Sequence, residues 1–165
     1  MKELLHHLIE SLREELKEYG GMLALLDQQQ ELVMRRETQV LLASVAGING
    51  QVEAIAAARR EREQRQRKVA DELGLAETAP FVELVPRLPD QYRALVQALV
   101  QENNDLLVRI QRRARQNHLL LSRVVELMQK ILDPFFPGSQ PATYGERGVL
   151  QGAVLAQPAL YNAIC

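Results

Sequence analysis

The chain has 165 residues, 47% of them hydrophobic, and a formal net charge of −1, which suits one domain with a real core and provides no global basic field for non-specific nucleic-acid binding. Long stretches without Pro or Gly, and the absence of Trp, exclude a barrel or sandwich of many short strands and favour an all-helical fold. The single cysteine, Cys165, excludes an intrachain disulfide and a multi-cysteine metal site and suits a reducing compartment.

Every proline falls at or after Pro80, so the first half of the chain is free to be helical. Leu5, Leu8, Leu12, Leu16, Tyr19, Leu23 and Leu26 recur at steps of three and four, which predicts a first helix over about 2–34 with one apolar face. Gly20-Gly21 interrupts it at a cost of roughly 1 kcal/mol per glycine relative to Ala, and predicts a kink or a close helix approach. The N-terminus carries charges and histidines where an export signal needs an apolar run, and no apolar run is expected to reach the length of a bilayer span.

A second helix is expected over about 38–73, capped by Thr38 and stopped by Gly74. Its seam reads Leu41, Val45, Ile48, Val52 and Ile55, then Arg59, Arg62 and Gln66, before Val69 and Leu73 restore it. A turn near residue 36 brings Arg59, Arg62, Arg65 and Lys68 beside Glu3, Glu10, Glu14, Glu15 and Glu18. These complementary stripes favour an antiparallel hairpin, with each exposed pair contributing only about 0–1 kcal/mol.

Thr78-Ala79-Pro80 reads as a cap opening a short turn through Phe81, Leu84 and Val85. A third helix is expected over about 89–132, through Tyr92, Leu95, Leu99, Leu106, Ile110, Leu121, Val124, Met128 and Ile131, ended by Asp133-Pro134. At 1.5 Å per residue it is roughly 65 Å long against roughly 55 Å for the second. Antiparallel pairing of the two leaves about Val125–Leu132 without a partner. That end is apolar well round its circumference: Leu120, Leu121, Val124, Val125, Met128, Ile131 and Leu132, followed by Phe135 and Phe136. An apolar patch of this kind marks an interface, either for a partner or for a second copy of the chain.

The architecture expected is therefore an all-α, three-helix coiled-coil-like bundle, a long-helix hairpin plus a long third helix over 1–133, with an irregular tail over 134–165. Four of the seven aromatics fall in that tail, so it is built for contact rather than solvation. No histidine pair, phosphate loop or nucleophile arrangement supports catalysis, a metal or another cofactor. The basic runs lack interleaved aromatics for nucleic acid. Asn103, Asn104 and Asn117 near the third helix's seam either fix register or anchor a bound helix.

The segment Glu102-Asn103-Asn104-Asp105-Leu106-Leu107, the apolar helix end and then Ala142-Thr143-Tyr144-Gly145-Glu146-Arg147-Gly148 resemble the FlgN family of flagellar type III export chaperones. The resemblance implies a cytoplasmic, non-catalytic chaperone that binds the helical C-terminal segments of hook-associated proteins and delivers them to the export gate, with no membrane insertion. It implies client binding by the last helix and tail, placing Asn104, Leu106 and Leu107 with the apolar end, and export-gate docking by Tyr144, bracketed by Gly145 and Gly148. The alternative from the residues alone is a structural coiled coil that self-associates, including as a homodimer, through the same apolar end.

Overall fold

The computed structural model describes residues 1–132. They form α1 (Lys2–Arg35), α2 (Thr38–Glu72), a single helical turn α3 (Phe81–Leu84) extended by a 3-10 turn (Val85–Arg87), and α4 (Asp90–Leu132). The long helices match their expected bounds to within a residue. Phe135, Phe136, Tyr144, Gly145, Gly148 and the tail lie outside the described residues.

Both hairpin helices stop by the same device. At the end of α1, Glu37 N–H donates to the Leu32 carbonyl and Arg36 N–H to that of Val33, with Arg36 left-handed at φ 59°. At the end of α2, Leu75 N–H donates to Ala70 and Gly74 N–H to Asp71, with Gly74 at φ 68°. This paired 6→1 and 5→2 bonding satisfies the last carbonyls, and glycine reaches the left-handed conformation without the steric cost that Arg36 bears. The expected caps differ. Glu37, not Thr38, is the N-cap of α2, and Pro80, not Thr78, is that of α3, in each case without a side-chain bond.

α1 is the centre of the molecule. α2 packs antiparallel along one side of it and α4 along another, while α2 and α4 barely meet. Asn103 donates through Nδ2 to the Leu12 carbonyl at 3.1 Å, and Asn117 to the Leu26 carbonyl at 2.7 Å. Both pairs are 91 residues apart, so α4 runs parallel to α1 in a fixed register. The expected pairing of the third helix with the second is thus corrected. Two buried asparagine amides on α1's backbone choose α1 as the partner, because an amide hydrogen of this kind is costly to bury unbonded. The same register sets Arg35 level with Glu126, so that α4 overhangs the hairpin by its last six residues, slightly less than expected.

Packing is closed at one end only. Leu5, Leu8 and Leu12 of α1, Val69 and Ala70 of α2, Phe81, Leu84 and Leu88 of the connection, and Val96 and Leu99 of α4 form one core. Each fully buried Leu or Phe there contributes roughly 1.5–3 kcal/mol. Towards the hairpin tip the connection no longer fills the space beside α2. Val45 and Val52, expected in a buried seam, are 44% and 53% exposed, and Leu41, Ile48 and Ile55 are half-buried. α1 runs unbroken through Gly20-Gly21. A Cβ at Gly21 would stand 3.1 Å from Gln51 Nε2, the close approach of the two helices.

Candidate functional site

The charged stripes of the hairpin meet below its middle, where they are buried rather than exposed. Glu15 is 1% exposed and Arg62 2%. The carboxylate accepts from Arg62 Nε at 3.0 Å and from the Tyr19 hydroxyl at 2.8 Å, with Arg59 Nε 3.7 Å away. Arg59 in turn donates to the Tyr19 oxygen at 2.9 Å. Burial, and next the Glu15 charge, push the Tyr19 phenol up to about 12. Arg62 also lies over the Phe81 ring, 5.8 Å from its centre. Of the remaining expected partners, Arg65 pairs within α2 with Glu61, and Glu18 accepts from Gln51 instead of an arginine.

This cluster floors a cavity of about 400 Å³ where α2, α4 and the connection come together over α1. Gln66 and Arg67 of α2, Val100, Asn103 and Asn104 of α4, and Phe81 line its sides. Gln66 is held there by donating to the Ala79 carbonyl at 2.8 Å. The cavity's lining is mixed, with Glu15, Tyr19, Arg62 and Gln66 on the polar side and Leu12, Val100 and Phe81 on the apolar side.

From the cavity α4 carries the expected contact residues towards the hairpin tip. Asn104, Leu106, Leu107, Leu120 and Leu121 are half-buried. Val124 is 41% exposed, and Val125, Met128 and Ile131 more so, joined by Leu119 and Leu127. Leu132 is the last helical residue. Asn103 and Asn117 are fixed to α1's backbone, which assigns them to register, while Asn104 faces the cavity. The polar side of this half is basic. Arg113 pairs with Asp27 at 2.6 Å and donates to Gln30, whereas Arg109, Arg112, Arg115 and Arg123 are exposed.

One surface was not anticipated. Within Gln39–Glu72 an eighteen-residue stretch is apolar enough, by length and composition, to cross a membrane, and none of it is buried. The expectation that no run reaches that length is corrected. Val40, Leu41, Leu42, Val45, Ile48, Val52 and Ile55, with the alanines between them, carry the hydropathy of this stretch. The available signal was charge: between Thr38 and Ala58 the only charged residue is Glu53.

The family described as FlgN protein matches residues 1–152. Comparison with curated proteins and with solved structures finds no match.

Proposed function

The chain belongs to the FlgN family, and on that premise we propose that the C-terminal half of α4 is the surface on which it receives its clients. The protein is a non-enzymatic flagellar export chaperone for hook-associated proteins; it acts in the cytoplasm and also binds the export apparatus. The observation that carries the proposal is the row of exposed apolar side chains from Leu119 to Ile131 on a helix that outruns its hairpin. Such a row lowers the free energy of an amphipathic helix laid against it, the helix-in-groove mode of recognition, and the helical C-terminal segment of a hook-associated protein is the client segment assigned to it.

Residues 1–133 then form the client-binding domain and 134–165 a recognition tail, with Phe135 and Phe136 assigned to the same client contact. Tyr144, with Gly145 and Gly148 beside it, is the element assigned to the export gate.

The test is calorimetry with a purified full-length hook-associated protein. Val124→Asp combined with Met128→Asp places two charges in the row and is expected to weaken binding by about tenfold or more, the scale of a central contact residue. Because both sites are exposed, the melting temperature should barely move. Wild-type affinity in this variant would remove α4 as the surface. Tyr144→Ala should keep client affinity and lose affinity for the export gate component, and equal gate binding by both proteins would remove that assignment.

A further inference from the structure

The cavity over α1 joins an exposed edge to a buried floor. Arg67, Glu77 and Thr78 at its edge are exposed, whereas Leu12, Glu15, Tyr19, Arg62 and Asn103 are buried. Most polar groups of the floor are already spent inside the protein. The Glu15 carboxylate accepts from Arg62 and Tyr19, and Gln66 accepts from Arg62 Nη1 at 2.8 Å while donating to the Ala79 carbonyl. Asn103 differs. Its Nδ2 donates to the carbonyls of Leu12 and, at 3.0 Å, Leu99, which uses both amide hydrogens. Its Oδ1, on a residue only 6% exposed, accepts no hydrogen bond. A buried acceptor left in this state costs free energy that a donor placed against it recovers. Asn117 also leaves its oxygen without a partner, but it does not line this cavity.

The remaining lining narrows the ligand. Glu15, Glu63 and Glu77 are matched by Arg62 and Arg67 in the lining and by Arg59 beside Glu15, so the cavity has no net charge with which to recruit an ion. Leu12, Val100 and the Phe81 ring supply its apolar surface, and about 400 Å³ is the small end of the range for ligand pockets. We propose that this cavity binds a neutral aromatic group carrying one hydrogen-bond donor, an indole or a phenol, with the donor on Asn103 Oδ1 and the ring against Phe81 and Val100. Aromatic rings packed edge-on or offset gain more than the area they bury. The group is either a free molecule or the side chain of a bound polypeptide, the chemistry being shared. It touches α1, α2, α4 and their connection at once, so its binding stabilises the folded chain by mass action. The site is separate from the α4 row, since Leu119 lies about 22 Å beyond Asn104 at 1.5 Å per residue.

The experiment uses the full-length protein without a client and indole as the probe, read by protein NMR and by melting temperature. Indole is expected to shift the resonances of the cavity residues saturably and to raise the melting temperature. 1-Methylindole has nearly the same ring and no N–H, and is expected to bind about tenfold more weakly, the scale of one lost hydrogen bond to a buried acceptor. Val100→Trp fills the cavity, leaves both Asn103 bonds in place and should abolish indole binding. Val124→Asp combined with Met128→Asp should leave it unchanged. Equal affinity for the two indoles overturns the donor assignment, and this comparison in the wild-type chain stands whatever Val100→Trp does to folding. Absence of saturable indole binding, its survival in folded Val100→Trp, or its loss in the α4 pair overturns the site. N-Acetyltryptophanamide separates the two sources. Affinity at or above that of indole assigns the site to a polypeptide side chain, and weaker affinity assigns it to a free molecule.

Discussion

At the scale of single residues, Glu15 and Arg62 form a buried ion pair that Tyr19 and Arg59 complete. The positions of Arg59 and Arg62 opposite Glu15 follow from antiparallel pairing alone. What spacing does not reveal is that Tyr19 and Phe81 close over them and remove water, turning an exposed stripe into a buried network. The phenol records the change: burial and Glu15 hold it neutral, with its proton released only near pH 12 instead of near 10. A folded-state value above the unfolded one gives stability that is complete below about pH 10 and is lost as pH rises from about 10 towards 12. Tyr19→Phe is expected to lower stability at pH 8 by about 1 kcal/mol through the lost hydroxyl bonds. It should also flatten the alkaline fall. Urea midpoints at pH 8, 10 and 11.5 check both, and parallel decline of the two proteins would show that another group titrates.

At the scale of elements, the helices themselves were legible, because three-and-four spacing of leucines and the placement of Gly74 and the prolines are local signals. The partner of α4 was not. Length and chain order suggested α2. The choice of α1 is made by Asn103 and Asn117, whose spacing of fourteen residues is four helical turns and brings both amides to the same side. An asparagine in a seam announces that register matters without saying whose carbonyl it will find. The exposed apolar row on α4 was legible from its excess of large apolar residues. The exposure of Val45 and Val52 was not, because three-and-four spacing implies a covering neighbour and α4 packs on α1 instead. Leu95 illustrates the same limit on a small scale, since the helix turns it partly outward and buries Val96 in its place.

For the molecule as a whole, burial is graded from one end to the other. The end that joins the start of α1, the end of α2 and the start of α4 holds the core, while the hairpin tip rests on pairwise packing against α1. Regions with few buried apolar contacts open at lower free energy. Backbone amides of α2 from Leu41 to Ala58 are therefore expected to exchange hydrogen faster than those from Arg62 to Ala70, read by mass spectrometry of the client-free protein. Uniform protection along α2 would contradict the gradient.

The two asparagines of α4 give this arrangement a further meaning. Asn103 and Asn117 are buried and bonded to backbone carbonyls of α1, so sliding α4 by one turn along α1 would strand both amides at once without an acceptor. How far α4 passes the hairpin is thus written into two side chains, which act as a ruler built into the bundle.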